Sequence, residues 1–225
     1  GFPGREGARL TKQGLSEKRP PRRLTAERKV LRMNIREYRK PEYTVDDLFL
    51  RRWSPRAMSG EEIDEPTLRS LFEAARWAPS SNNNQPWRFI YACRNTPSWQ
   101  TFFDLLAEGN QIWAGRAAAL IVVVSKKTFD SGKPSITHSY DTGAAWGSFA
   151  LMGTLMGLVV HGMQGFDYDR AKSALKVPDD HQVEAMIAVG RPGKKEDLPD
   201  HLREREFPSP RKSQAQIAAP GVFRF

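Results

Sequence analysis

Residues 78–87 read Ala78-Pro79-Ser80-Ser81-Asn82-Asn83-Asn84-Gln85-Pro86-Trp87, and the stretches on either side of them fix the local architecture. Upstream, Ile63, Leu68, Leu71, Phe72, Ala75 and Trp77 recur at the spacing of one helix face. A helix start is signalled at Ser59-Gly-Glu-Glu, and Pro79 ends the run because proline disfavours helix in the residue before it. Downstream, Arg88 to Cys93 reads as a strand. The segment between is therefore a helix-to-strand loop with six consecutive hydroxyl or amide side chains. Such a loop offers many donors and acceptors without net charge, which suits a neutral heterocycle; an ordinary Asn-rich turn has the same composition.

Working outward, Thr44-Val-Asp-Asp-Leu-Phe-Leu predicts a short helix with Thr44 as N-cap and Asp47 at N3. Ser98 to Leu106 predicts another, with Trp99, Phe102, Phe103 and Leu106 on one side. Ala118 to Val124 is a continuous apolar run rich in branched residues, the pattern of a central strand buried on both faces. Tyr140 to Val160 is apolar nearly all round and predicts a single buried helix. Its glycines, Gly143, Gly147, Gly153 and Gly157, suit close approach to another helix or a flat ligand. Asp167 to Leu175 predicts a short helix, Glu184 to Val189 a strand, and Lys194 to Phe225 a polar, Pro-rich extended arm.

The 225 residues suit one domain. No apolar run is long enough to span a bilayer, and the expected compartment is cytoplasmic. One cysteine, Cys93, excludes an intramolecular disulfide; it reads as a buried strand cysteine or a reactive thiol. The net charge of +9 is concentrated in residues 1–32, where ten Lys or Arg and three Glu give +7, leaving +2 for residues 33–225. Residues 1–43 therefore read as a basic, disordered tail, and 44–225 as the folded domain. Met33 also reads as a natural start. The near-neutral body argues against nucleic-acid binding, though a basic tail of this kind can touch nucleic acid or anionic lipid.

Two further segments carry chemistry. Arg51-Arg52-Trp53-Ser54-Pro55-Arg56 places three guanidinium groups and a hydroxyl within six residues, an anion receptor or a solvated basic turn. Leu158-Val-Val-His-Gly-Met-Gln-Gly-Phe runs into a Gly-flanked turn around Gln164. There the backbone can approach a ligand closely, or Gly162 can simply cap a helix. His138, His161, His181 and His201 are scattered without metal spacing, and no dinucleotide fingerprint or phosphate loop occurs. His161 reads as a core residue at the end of the apolar helix.

In this order and spacing, Arg52-Trp53-Ser54-Pro55-Arg56, the Pro79–Trp87 loop, Asp141-Thr-Gly-Ala and Gln164-Gly165-Phe166 resemble the nitroreductase family, over roughly Leu48 to Phe225. The resemblance implies an α+β, three-layer fold: a central mixed, mostly antiparallel sheet flanked by helices, with an extended C-terminal arm, in a domain-interlocked homodimer. A symmetric pair would also cover the Gly/Ala-rich helix and the arm, which one domain leaves exposed.

The resemblance further implies FMN as cofactor. Arg52, Ser54 and Arg56 would bind its phosphate and ribityl chain, with Trp53 alongside. Pro79, Ser80, Ser81, Asn83 and Gln85 would reach the ring from the other subunit. Asn110 would lie near the pyrimidine, Gln164 and Gly165 beside N5, and Arg211 would close on the phosphate. Trp53 and Gln164 stand where the family often has His or Arg and an acid. NADH or NADPH would act as transient reductant and a nitroaromatic, quinone or similar small molecule as acceptor, in ping-pong order. No side-chain catalytic residue follows, and no metal is expected. The variable stretches Gln111–Arg116 and Phe129–His138 would shape the acceptor pocket. Alternatives within the family are reductive dehalogenation, enoate reduction and flavin breakdown; outside enzymes, flavin sequestration or nucleic-acid binding through the tail.

Overall fold

The apolar run forms β2 (Ala119–Lys126), the centre of a four-stranded sheet with β1 (Trp87–Cys93), β3 (Val159–Met163) and β4 (His181–Gly190) in the order β1-β2-β4-β3. The computed structural model describes residues 34–225, so the readings of residues 1–33 fall outside it. Among the described residues all three strand pairings are antiparallel, in keeping with the mostly antiparallel sheet that the sequence implies. Leu120, Val122 and Val124 point into one core cluster; Ala119, Ile121 and Val123 point into a second on the opposite face. Two-sided burial is why β2 reads as unbroken apolar sequence instead of alternating.

Helices cover both faces. One face packs α3 (Glu65–Arg76) and α6 (His138–Leu155), through Leu68, Leu71 and Ala75 of the first and Ala145, Phe149 and Ala150 of the second. The other packs α4 (Trp99–Phe103), α5 (Glu108–Ala114) and α7 (Tyr168–Ala174), with Phe102, Trp113, Ala114 and Ala171. The two remaining pieces near the N-terminus, α1 (Ile35–Tyr38) and α2 (Asp47–Arg51), lead into the arginine segment, and α8 (Asp200–Arg203) lies in the C-terminal stretch.

Several expectations shift. Ile35 and Arg39 are buried, so the folded part begins upstream of residue 44, and residues 34–43 are not tail. α2 is capped by Asp46, whose side chain accepts from Leu48 N, instead of by Thr44. α3 starts at Asp64, which accepts from Thr67 N, instead of at Ser59; Pro66 sits in its first turn, where its missing N–H is no loss. Trp77 falls past the helix end and is 73% exposed, donating to Glu73 instead of joining the core. Cys93 is half-buried, and burial raises its thiol pKa, with Glu65 and Glu62 adding to the effect.

The largest correction concerns Tyr140–Val160. The helix stops at Leu155, Gly157 takes φ +70° and turns the chain, and Val159–Met163 is a strand. His161 and Gly162 are therefore strand residues, so Gly162 is not a helix cap. The glycines divide by role. A Cβ on Gly153 would lie 2.3 Å from Val160 Cγ2, so this glycine lets α6 lie against β3. A Cβ on Gly143 or Gly147 would meet nothing within 4 Å. Nor is α6 buried all round: Tyr140 and Leu155 are 81% and 51% exposed.

Candidate functional site

A cavity of about 520 Å³ opens between α6 and the sheet. Its wall is one stripe of α6, namely Ser139, Thr142, Gly143, Trp146, Gly147 and Ala150, at the i, i+3, i+4 spacing of a single helix face. Val123, Ala185 and Ile187 form the floor, Gly162, Met163 and Gln164 one side, and Arg52 and Ser54 one end. Gly162 is required here by contact: a Cβ would lie 2.9 Å from the Trp146 ring.

The arginine end is strongly cationic. Arg52 Nη1 donates to Ser54 Oγ at 3.3 Å. Burial lowers the Arg52 pKa, and the charge of Arg211 lowers it further. Arg39 is held down to about 10, by burial first and then by Arg211 and Arg52. No ion pair among the described residues involves Arg39, Arg52 or Arg211. Two partly desolvated cations, Arg39 and Arg52, with the exposed Arg211 beside them and no carboxylate partner among the described residues, form a receptor for an anion. Arg56 points elsewhere, 3.9 Å from Glu206 Oε2, while Glu206 Oε1 accepts from the backbone N–H of Arg56 and Ala57.

The lining also includes a polar, acidic group. Glu184 Oε1 accepts from Ser139 Oγ at 2.7 Å and from Ser125 Oγ, which lies 2.8 Å from His138 Nδ1. Thr142 Oγ1 is buried without a partner.

His161 ties the arginine segment to the sheet. Its Nδ1 lies 2.8 Å from Pro55 O, and its ring packs against Trp113 at 4.5 Å between centroids, tilted by 41°. Burial pushes its pKa down to about 4, helped by Arg56 and Arg52 and opposed by the bond to Pro55. The ring is thus neutral at pH 7, and since a carbonyl only accepts, Nδ1 carries the hydrogen. The unfolded chain takes up this proton near 6.5 and the folded chain only near 4, so stability is full above 6.5 and falls as pH drops through that window. The slope contributed is up to about 1.4 kcal/mol per pH unit. His161→Gln, which retains a donor for Pro55 O, should flatten the difference between urea midpoints at pH 7 and pH 4.5. Parallel pH dependences for the two proteins would refute the assignment.

Of the residues expected in the site, Arg52, Ser54 and Gln164 line the cavity. Asn110 and Gly165 come together beside it: Asn110 Nδ2 donates to Gly165 O at 2.9 Å, and a Cβ on Gly165 would lie 2.8 Å from that nitrogen. Trp53, Arg56 and Arg211 do not line it, nor do Pro79, Ser80, Ser81, Asn83 and Gln85. Arg211 folds onto its own backbone, donating to Ser209 and Pro210.

The 80–85 loop presents an outward surface. Asn82, Asn83 and Gln85 have φ of 49°, 55° and 48°. Asn tolerates that left-handed backbone better than most side chains, so two of the three asparagines have a backbone reason to be there. The loop is pinned by Ser80 Oγ accepting from Gln85 N, and by Asp141 Oδ2, which accepts from Ser81 N and Thr137 Oγ1 at 3.1 Å each. Asp141 is 3% exposed and sits in the first turn of α6, where the helix favours an anion.

Sequence reasoning missed Arg39, Ser139, Thr142, Trp146 and Glu184. The small-residue stripe on α6 was the available signal for three of them; Arg39 lay in sequence read as tail.

The nitroreductase family model matches residues 50–96 and 95–191. A crystal structure of an oxidoreductase containing FMN is 47% identical, with a TM-score of 0.80, covering 83% of this chain and 96% of that one. A nitroreductase family protein from Clostridium difficile 630 shares the fold at 20% identity and a TM-score of 0.62, covering 80% of this chain and 100% of that one. A Thermus thermophilus protein named NADH dehydrogenase is 27% identical over 181 residues, covering 68% of this chain and 88% of that protein. With a family model spanning more than half its length and a relative this similar over most of it, the chain belongs to the nitroreductase family.

Proposed function

We propose that this protein is an FMN-dependent oxidoreductase that takes electrons from NADH or NADPH and reduces a small organic acceptor, a quinone or a nitroaromatic. The observation that carries the reading is the unpaired cation cluster of Arg39, Arg52 and Arg211 at the end of a cavity bordered by Gly162–Gln164. The donor set fits the cofactor. Arginines and the Ser54 hydroxyl suit a phosphate, and Gly143 and Gly147 on the cavity wall, where a Cβ would meet nothing within 4 Å, leave room for a flat ring. Bound FMN supplies two-electron acceptance and delivery, which no side chain here can supply.

The protein's own groups hold and orient it. Arg52 and Ser54 grip the phosphate, with Arg211 adding charge. The backbone at Gln164 and Gly165 faces the ring, fixed by Asn110. The 79–85 loop does not line this cavity, and its exposed Pro79, Asn82 and Asn83 are free to reach the site of a second copy. Exposed Tyr140 and Leu155 on α6, and Ile217, Val222, Phe223 and Phe225 on the arm, are the apolar surface a homodimer would cover. The comparison with an FMN-containing relative at 47% identity supports the cofactor, and the name of the Thermus protein supports the nicotinamide.

Purified protein incubated with FMN and freed of excess by gel filtration is expected to keep a flavin spectrum. It should then bleach with NADH or NADPH under argon and recover on adding a quinone. Protein that emerges colourless, with all FMN in the small-molecule fraction, would refute the cofactor assignment.

A further inference from the structure

Arg39 lies outside the 50–191 span that the family model matches, in sequence that carries no recognisable site motif. It is 7% exposed, a rare state for an arginine, and is spent on backbone. Nη1 donates to Leu50 O at 2.7 Å and to Arg52 O at 2.8 Å. These are carbonyls at the C-terminal end of α2, where a helix favours a cation. Nε donates to Ser209 O at 3.1 Å, 170 residues away in sequence. One planar guanidinium therefore joins the two segments that bring Arg52 and Arg211 to the same place. Its remaining nitrogen, Nη2, is buried without a partner.

We infer that Arg39 is the positioning residue of the phosphate grip: it clasps the Arg52 carbonyl and the Ser209 carbonyl so that the guanidinium groups of Arg52 and Arg211 are held together against their mutual repulsion. The inference rests on the FMN reading above. Arg39 acts through backbone, not through contact with the ring, so its effect is confined to the phosphate end of the ligand. A lysine cannot replace it. Lysine keeps the charge but is a single point that cannot serve three carbonyls in a fixed fork.

Riboflavin, which has the ring and ribityl chain but no phosphate, separates the possibilities. Dissociation constants for FMN and riboflavin would be measured by flavin fluorescence quenching on the full-length protein, the Arg39→Gln variant and the Arg39→Lys variant, each checked for the native circular dichroism spectrum. The natural protein should prefer FMN strongly. Both variants should lose at least tenfold in FMN affinity while riboflavin affinity stays within twofold, so that the FMN preference collapses even where the charge is kept. Arg39→Lys also serves if the glutamine variant does not fold.

An Arg39→Lys protein with the natural preference would show that only charge matters and would overturn the positioning role. Equal losses for both ligands would do so too, since general loosening of the fold affects ring and phosphate alike. If the natural protein binds FMN no better than riboflavin, the phosphate grip itself fails; if it binds neither, the flavin reading fails.

Discussion

Gly193→Ala is expected to lower the stability of the fold by about 3 kcal/mol, the upper end of what overpacking causes. An added Cβ would sit 2.5 Å from the Met58 carbonyl carbon, 2.6 Å from its oxygen and 2.9 Å from Ser59 N. All three are backbone atoms, so no side chain can rotate away. The two segments are also tied together. Gly193 N donates to Ala57 O at 2.9 Å, Ser59 N donates to Arg191 O at 3.0 Å, and Met58 pairs with Pro192 across a bridge. Met58 itself is 1% exposed, and its sulfur would lie 2.9 Å from a Cβ on Gly190. At about 2–4 °C per kcal/mol for a chain of this size, the melting temperature should drop by roughly 6–12 °C. The clasp anchors the chain that follows Arg52–Arg56 to the end of β4, so ligand affinity should fall as well. Gly109→Ala, on the open side of α5 with nothing within 4 Å, is the matched control. It should gain about 0.5–1 kcal/mol from the lower entropy of the unfolded chain and better helix propensity. Melting curves for Gly193→Ala and the natural protein that agree to within about 2 °C would sink the argument.

What could be read in the sequence depended on how far apart the cooperating residues lie. β2 was legible because burial on both faces leaves a short apolar run, and its Ile and Val residues favour strand over helix. The helix-loop-strand around residues 65–93 was legible because proline, polar loop and strand follow one another directly. The boundary between α6 and β3 was not, because Leu151–Val160 is apolar apart from Thr154, and periodicity cannot separate a buried helix from a buried strand there. Gly157, at φ +70°, was the only local mark of the turn, and it was one glycine among four. At the candidate site, Arg52 and Ser54, which line the cavity, were legible because they are neighbours in a short motif, and the Asn110–Gly165 pair beside it only through the resemblance. Arg39 was missed because a single arginine in a basic stretch looks solvated; its burial depends on carbonyls 11 to 170 residues away. Glu184 was missed for the same reason: its partners Ser125 and Ser139 come from β2 and α6.

Arg52→Met is expected to move ligand binding and stability of the ligand-free protein in opposite directions. Methionine keeps much of the apolar stem and removes the charge. In the ligand-free protein the charge is a liability: burial and Arg211 both lower the Arg52 pKa, so the cation is less favourable folded than unfolded at every pH below the depressed value. Removing it also relieves Arg39, which Arg52 depresses. The ligand-free variant should therefore melt no lower than the natural protein, and above it at low ionic strength, where repulsion is least screened. FMN binding should show the reverse. Losing charge-assisted hydrogen bonds to a phosphate is expected to weaken affinity about 100-fold, or roughly 2.7 kcal/mol. At an FMN concentration 100 times the natural dissociation constant, the natural protein gains about 2.7 kcal/mol from the ligand, while the variant, near half saturation, gains about 0.4. Melting curves with and without FMN should thus cross: the variant is the more stable protein without flavin and the less stable one with it. A variant that melts lower in both conditions would mean that Arg52 is a packing residue, and that the cation cluster was not built to wait for an anion.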